Sequence, residues 1–597
     1  MGQAGISLYY IPMDDCHMSE YVADHFKAVE FVSGFTGSAA RVLISPSEAF
    51  LFTDGRYYIQ AERQLKGSGI KLMKEGMPGV PGIFELAGEL LKEGQALGFD
   101  GNVVSAAFVQ KLEKAIGKDI KIKADIDLAG EIWENRPEQV FTDIYGFDEK
   151  YCGESTASKI RRIREKIERD LKEKEKNYLH IISSLDDLAW IFNIRAHDVE
   201  CNPVAFAYGV IGKKEASLYT AGEMEEGLKE RLESEGVNVG KYSPKCVCQN
   251  APEGTAIVLD KDCTSYNTVR FYESRGFEIV DMENPSTLMK ACKNETEIKN
   301  TKETYLKDSA ALIRFMKWIK DLASKTAPGE EIKENGRAVT ELSADEKLQE
   351  LRGQDPGYMG PSFGTIAAYG PNGAMMHYAA SKESFSVLRA EGMLLVDSGG
   401  QYETGTTDIT RTFVLGPLTE DEKKSFTLTA VSMLRLMRAK FIKGSTGENV
   451  DIIAREPMWE NGLDYKCGTG HGVGYVLNVH EGPHRIKWKI TDERTAPLTE
   501  GMFVTDEPGV YKEGLYGIRL ENELLVKPYM KTSDGEFLQF ENMTFIPLDP
   551  DGIDRKYMTE GDVRLLEEYN AEVYEKISPC LDTEMCDWLR DILGMRN

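Results

Sequence analysis

The sequence predicts two successive α/β domains followed by a larger α+β domain, a mixed α/β and α+β chain, and three observations carry that reading. Strand-like runs of β-branched and aromatic residues alternate with amphipathic helical runs twice over between residues 1 and 287. A long helical pattern begins near Asn284-Pro285, and beyond Pro356 glycine-punctuated strand patterns carry acidic residues and histidines. At 597 residues the chain also exceeds what one hydrophobic core supports. The expected domains are 1–140, 141–287 and 288–597.

In the first domain, SLYYIP and VLISPSEAFLF read as strands between turn signals, and IFELAGELLKE and AAFVQKLEKAI as amphipathic helices. Between them FVSGFTGSAARV, Phe31 to Val42, carries Gly34 and Gly37 and predicts a tightly held backbone. LFTDGRYYIQA ends a strand at Asp54-Gly55 and enters a helix expected to carry Arg56 and Tyr57. The second domain opens after Arg136-Pro137 with the charged SKIRRIREKIERDLKEKEKN, whose Ile160, Ile163 and Ile167 form one inward face. YLHIISSLDDLAWIFNIRAHDVECNPVAFAYGVIG and AIVLD then alternate strand and helix. Similar length and element order hint at a duplicated fold without clear sequence repeats. In the third domain, STLMKACKNETEIKNTKETYLKDSAALIRFMKWIKDL and AVTELSADEKLQELR read as helices, and residues 357–550 as strand-rich. YNAEVYEKISPCLDTEMCDWLRDIL returns to helix, expected on the outside.

Composition narrows the function. With 41% hydrophobic and 28% charged residues the chain is that of a soluble globular protein. A formal charge of −26 argues against nucleic acid, whose phosphates need a basic face. No basic flank and apolar run open the sequence, and no stretch approaches the length of a spanning helix. Gly2 lacks the Ser or Thr at position 6 that myristoylation needs, since Ile6 stands there. Ten scattered cysteines suit reduced thiols in a cytoplasm, and Cys246, Cys248 and Cys263 lack zinc-site spacing.

The chemistry concentrates between Asp397 and Glu521. Asp397 and Asp408 flank the glycine-rich turn of LLVDSGGQYETGTTDITRTF, so the two arms of a hairpin can bring both carboxylates to one face. Glu507 in VTDEPGVY and Glu521 in GIRLENELLV repeat the arrangement. Any one of these acids reads alone as a surface or turn residue. Together, converging on an apolar sheet, they would repel and be costly to desolvate unless cations sat among them. Of eight histidines, four (His377, His471, His480, His484) fall between 377 and 484. His471 is framed by glycines in GTGHGVG, which has no Gly-Lys-Ser/Thr and so is no phosphate loop. His377 and His480 sit in glycine- and proline-bearing turns suited to a binding loop, and His484 reads as a residue at the surface or behind the ligands. Four carboxylates and one imidazole form a hard, oxygen-rich set that suits a pair of divalent cations of the manganese type better than one structural zinc.

These residues also carry a resemblance. GPNGAMMHY, VDSGGQYETGTTDITRTF, GTGHGVGYVLNVHEGP, TDEPGVY and GIRLEN are similar to the pita-bread metallopeptidases, in particular to the long three-domain form of aminopeptidase P. SEY, SGFTGSA and TDGRYYIQA resemble that family's first domain and LDDLAWIFNIRAHDVECNPVAFAY its second, so nearly the whole chain is covered. The resemblance implies two creatinase-like N-terminal α/β domains before a pita-bread catalytic domain. It implies that Asp397 and Asp408 bind one metal, that Asp408 and Glu521 bridge both, and that His471 and Glu507 complete the second. It makes His377 and His480 residues of the substrate site, Arg519 a partner behind the ligands, and Glu507 the proton acceptor. The implied ions are two Mn2+, with Zn2+ and Co2+ as alternatives, and the implied form is a cytoplasmic homodimer. The implied reaction is hydrolysis of the bond between an N-terminal residue and a penultimate proline by a hydroxide held between the two ions. Prolidase activity on Xaa-Pro dipeptides, creatinase-like metal-free hydrolysis and a pita-bread module that only binds are the rival readings. The sequence departs from the family at Cys467, where a histidine is common, and at Gly400 and Thr404. It also starts almost on the first strand, so either a trimmed first domain or a misassigned start is expected.

Overall fold

The computed structural model describes all residues except 118, 172–175, 245–250, 252–253, 490–494 and 596–597. Cys246 and Cys248 thus lie outside the described residues; the eight described cysteines are free thiols. The chain divides into two compact units, Met1–Lys290 and Ala291–Asn597.

The N-terminal unit holds two six-stranded sheets that repeat one topology. The first runs Lys71–Lys74, Ala49–Thr53, Arg41–Ile44, Leu8–Ile11, Ala96–Gly98, Lys121–Lys123. The second runs Val237–Lys241, Ala216–Thr220, Ala207–Gly212, Tyr178–Ile182, Ala256–Leu259, Glu278–Asp281. With strands numbered in chain order inside each sheet, both read 4-3-2-1-5-6, and the same pairs are antiparallel (1-2, 2-3) and parallel (3-4, 1-5, 5-6). Duplication is therefore present in backbone order where the side chains no longer show it. Helices Ile83–Leu90 and Ala106–Ile116 bury Ile83, Leu86, Val109 and Leu112 against the first sheet's core. Helix Thr156–Asp170, capped by Ser155 on the Ser158 N–H, buries Ile160, Ile163 and Ile167.

Local chemistry explains the tight turn of Phe31–Val42. A Cβ on Gly37 would sit 2.3 Å from the Phe35 ring and 2.6 Å from that of Tyr57. Arg56 and Tyr57, expected inside a helix, precede it: the helix is Tyr58–Gln64. The Asp54 carboxylate accepts the Arg56 N–H at 3.0 Å and its guanidinium at 2.9 and 2.7 Å, which holds Arg56 in a side-chain-closed turn.

The helical run expected from Ser286 is two helices, Pro285–Ala291 at the end of the N-terminal unit and Glu295–Ser324 in the C-terminal unit, because Asn294 starts a new one by capping Thr296 and Glu297. The 357–550 region is less uniformly stranded than expected: it contains helices Glu420–Met437 and Gly447–Trp459. The first of these is buried continuously from Ser425 to Leu434, so it lacks the polar stripe that betrays a helix in sequence. The helix Glu560–Ile577 is not merely external. It sinks Leu566, Tyr569, Val573 and Ile577 into the main core, and the Tyr569 hydroxyl donates to the Ile546 carbonyl at 2.6 Å. Around these helices lie a three-stranded antiparallel sheet (Ile366–Tyr369, Met393–Ser398, Ile409–Val414) and a four-stranded one (Lys440–Ile442, Gly535–Asn542, Asn522–Thr532, Phe503–Asp506).

One buried histidine of the N-terminal unit makes stability depend on pH. His180 is wholly buried, its Nδ1 3.2 Å from the Val258 carbonyl, and burial pushes its pKa down to about 4. The unfolded chain takes up this proton near the ordinary value of 6.5, so stability from a neutral His180 is complete above that pH and is lost as pH falls toward 4. At about 1.4 kcal/mol per unit the loss approaches roughly 3 kcal/mol. His180→Gln, which keeps a donor without a titrating ring, is expected to flatten the dependence of denaturant midpoints between pH 7 and 4.5; an unchanged slope would assign it elsewhere.

Candidate metal centre

Two antiparallel strand pairs bring the four acids to one place. In the first, Asp397 lies opposite Thr410 and Ser398 opposite Ile409. Asp408, two residues before Thr410, therefore projects to the same face as Asp397. In the second, the pairs Asp506↔Asn522 and Gly509↔Arg519 bracket Glu507 and Glu521 in one continuous register, so these two also stand opposite each other. The Thr410 hydroxyl donates to Glu521 Oε2 at 2.7 Å, and the Glu521 N–H donates to the Thr410 carbonyl at 3.0 Å, which stitches the two pairs together.

His471 comes from a third element, Gly470–Gly472, paired with Glu481–Ile486. Its neighbours must be glycine: a Cβ on Gly470 would lie 1.8 Å from the Thr505 carbonyl oxygen, and one on Gly472 2.2 Å from that of Glu481. This close approach seats the imidazole among the carboxylates. Its Nδ1 is 3.0 Å from the Gly472 carbonyl, and Nε2 lies 3.4 Å from Asp408 Oδ2 and 3.6 Å from Glu507 Oε1. Donor atoms of Asp408, His471 and Glu521 all fall within 4.8 Å of one another.

Arg519 joins the cluster to the putting-in-place of its surroundings. Its guanidinium pairs with Asp397 and donates to the Tyr511 hydroxyl at 2.7 Å, to the Met376 carbonyl at 3.2 Å and, through Nε, to Thr410 Oγ1 at 3.2 Å. It therefore links the carboxylates to the residue before His377. The His471 and His480 rings meet edge to face, 4.2 Å between centroids.

The electrostatics fit a cation pair. Burial pushes the carboxyls of Asp397, Glu507 and Glu521 upward, and the neighbouring carboxylates add to the shift in each. On His471 burial acts downward but is outweighed by Asp408 and Glu507, so the imidazole is pushed up to about 10. Asp397 Oδ1 is buried with no hydrogen-bond partner among the described residues. A set of acids that would otherwise gather protons, one imidazole with its far nitrogen tied back, and an orphaned oxygen are what divalent cations satisfy.

The structure thus gathers Asp397, Asp408, His471, Glu507, Glu521 and Arg519, with His480 against His471. His484 is not at the surface: it is 1% exposed, its Nε2 is 2.5 Å from the Phe503 carbonyl, and burial pushes its pKa down to about 4. Cys467 is half-buried, and its carbonyl accepts from the Arg455 guanidinium at 2.8 Å. Sequence reasoning missed Tyr305, whose hydroxyl accepts the Asp408 N–H at 3.0 Å and donates to Glu523 at 3.1 Å. It also missed Tyr511, although this residue lies in the same VTDEPGVY stretch as Glu507.

Comparison with known proteins agrees with this geometry. The pattern of metallopeptidase family M24 matches residues 299–528 and that of its C-terminal region 536–592, while two creatinase/prolidase N-terminal domain patterns match 1–136 and 135–297. The chain is 35% identical to a probable Xaa-Pro aminopeptidase P of Laccaria bicolor, over 99% of this chain and 91% of that protein. It is 34% identical to aminopeptidase P2 of Arabidopsis thaliana, over 97% and 84%. The crystal structure of an X-prolyl aminopeptidase from Caenorhabditis elegans, described as a cytosolic enzyme with a di-nuclear active site, superposes with a TM-score of 0.89 at 29% identity, covering 98% of this chain and 95% of that one. An Xaa-Pro dipeptidase from Bacillus anthracis shares the fold over only 66% of this chain, with a TM-score of 0.51 at 23% identity. Creatinase-type domains in tandem, an M24 pita-bread domain behind them and end-to-end similarity to these relatives make the chain a member of the aminopeptidase P family of M24 metallopeptidases.

Proposed function

We propose that this protein is a metalloaminopeptidase that releases the N-terminal residue from peptides with proline in second position, using two divalent ions. The observation that carries the reading is the convergence of Asp408, His471 and Glu521 donor atoms within 4.8 Å, in a chain that matches aminopeptidase P relatives from end to end. Asp397, Asp408, His471, Glu507 and Glu521 would hold the ions. Oxygen-dominated donors favour Mn2+ over a structural zinc, with Zn2+ and Co2+ as alternatives.

When bound, such an ion pair supplies Lewis-acid polarisation of the scissile carbonyl and acidifies the attacking water. Glu507, raised by burial, would accept that water's proton and pass it toward the leaving nitrogen. His480, whose ring meets that of His471, would donate to the carbonyl oxygen as negative charge develops there, and His377 would orient the peptide. Arg519 holds Asp397 and the Met376 carbonyl, so the acid and the His377 turn keep one spacing. The Xaa-Pro bond has no N–H for a general peptidase to bind, so shape and the free amine must select the substrate.

A homodimer in the cytoplasm completes the proposal. The neighbouring C. elegans enzyme is described as cytosolic, no helix among the described residues is long and apolar enough to cross a membrane, and the described cysteines are free thiols. Trp459 and Trp488, 43% and 45% exposed, stand edge to face at 6.0 Å and offer an apolar face for a second copy.

Purified protein is expected to contain close to two divalent ions per chain by elemental analysis, and, loaded with manganese, to release arginine from Arg-Pro-Pro. Chelation should abolish turnover and added Mn2+ restore it. Cleavage of Gly-Pro but not Arg-Pro-Pro would instead make the chain a prolidase.

A further inference from the structure

The stretch from His471 to Glu481 leaves a strand pair at one histidine of the site and returns beside the other. Gly472 pairs with Glu481 where the loop closes. Beneath that closure lies Lys293, whose side chain is 0% exposed and paired with a Glu481 side chain that is 1% exposed. The ammonium donates to the Val473 carbonyl at 2.7 Å and to the Glu481 carboxylate. Val473 follows His471 by two residues and Glu481 follows His480 directly, so one cation grips the loop next to both histidines.

The loop is also held under strain at its tip. Val476 has φ of 50°, a conformation that β-branched residues rarely adopt. It persists because the Gln401 amide donates to the Leu477 carbonyl at 2.7 Å and the Leu477 N–H donates to Thr406 Oγ1 at 3.3 Å. Gln401 and Thr406 belong to the turn between Asp397 and Asp408, so the tip is tied to the acidic hairpin while Lys293 holds the feet. A loop fixed at tip and feet can keep the two imidazoles 4.2 Å apart.

We propose that Lys293 is a positioning residue for the reaction: by drawing Val473 and Glu481 onto one ammonium it sets the spacing of His471 and His480, keeping one imidazole on the ion cluster and the other over the scissile carbonyl. A buried ion pair contributes little net stability compared with an apolar pair of the same volume, so fixing this geometry is the role left to it. The inference rests on the assignment of His471 and His480 given above.

Lys293→Met alone strands the Glu481 charge, so the test pairs it with Glu481→Leu and sets the result beside His480→Ala and the combination of all three. Calorimetric titration with MnCl2 and kinetics on Arg-Pro-Pro are measured on each, with circular dichroism and a thermal melt to show folding. The paired variant is expected to fold, to bind the weaker of two ions about 10- to 100-fold less tightly, and to lose about 10- to 100-fold in kcat with KM changed less than about threefold. Added to His480→Ala it should cost clearly less than the product of the two separate losses, because both changes remove the placement of His480. Losses that multiply in the combination, or a folded paired variant with kcat and ion affinity within about twofold of wild type, overturn the inference. If the paired variant fails to fold, Lys293→Met with Glu481→Gln, which removes the bridging ammonium and leaves a neutral amide in place of the carboxylate, is read against the same outcomes. Wild-type, manganese-loaded protein that leaves Arg-Pro-Pro intact rejects the functional reading instead, and the titrations then still decide whether Lys293 shapes the ion site.

Discussion

Exchanging Glu521 for glutamine is expected to leave a folded protein that has lost turnover of Xaa-Pro peptides and no longer gains stability from divalent metal. Glu521 is 1% exposed, and its side chain accepts from Thr410 at 2.7 Å. An amide of the same shape keeps that bond through its oxygen. What disappears is a negative charge whose electrostatic neighbours are Asp408, Asp397 and Glu507. Without metal, burial and these neighbours make the carboxyl costly to keep charged, and a neutral amide avoids that cost, so the variant should melt at or above wild type. With metal the order reverses. An ion at 1,000 times its Kd stabilises wild type by about 4 kcal/mol, and the variant, deprived of a carboxylate proposed to bridge both ions, should gain far less. Losing several kcal/mol of Lewis-acid stabilisation corresponds to a kcat lower by on the order of 10³ or more. Paired melts with and without Mn2+, beside kinetics on Arg-Pro-Pro, read all three. A variant that melts well below wild type without metal and is still activated by Mn2+ would make Glu521 a structural residue.

The acids were legible in the sequence because carboxylates gathered on an apolar sheet are costly unless cations sit among them. Residues kept against their own repulsion must sit where geometry demands them, and here the geometry is that of antiparallel pairs, which period-two alternation and the glycine turns announce. Asp397 with Asp408, and Glu507 with Glu521, could be paired from spacing alone, and the structure adds the register that sets them face to face. The helix Glu420–Met437 was not legible because it is buried on nearly all sides past its first turn, and amphipathic periodicity is a property of half-buried helices. Nor were Lys293 and Tyr305. Each reaches the centre from the helical segment preceding the sheets, and in sequence a lysine or tyrosine among Glu, Lys and Asn reads as part of a solvated face. The doubled six-stranded sheet was legible only as element order, since strand sequence there is constrained by apolar packing that many side chains satisfy.

The support under the acidic hairpin can be separated from the hairpin itself. Asp308 and Arg352 form an ion pair with both side chains 0% exposed, Nε to Oδ1 at 2.6 Å and Nη2 to Oδ2 at 3.1 Å. Asp308 also accepts from Tyr402 at 3.0 Å and from Thr407 at 2.5 Å, while Arg352 donates to the carbonyls of Ser398 and Gly399 at 3.2 and 3.3 Å. All four contacts fall in the connection between Asp397 and Asp408, so one buried pair fixes the path that spaces the two acids. Asp308→Ala leaves Arg352 charged and unpaired in the core, which should cost about 3–5 kcal/mol and lower Tm by roughly 6–20 °C. Ion affinity should fall about 10- to 100-fold as the turn loosens. Replacing both members with apolar residues, Asp308→Leu with Arg352→Met, removes the stranded charge and should recover most of the stability. It cannot restore an acceptor for Tyr402 and Thr407 or donors for the turn carbonyls, so ion affinity should stay low. Stability and metal binding would then part company in one variant, and a paired replacement that regained both would show that the ion pair serves the core and not the spacing of Asp397 and Asp408.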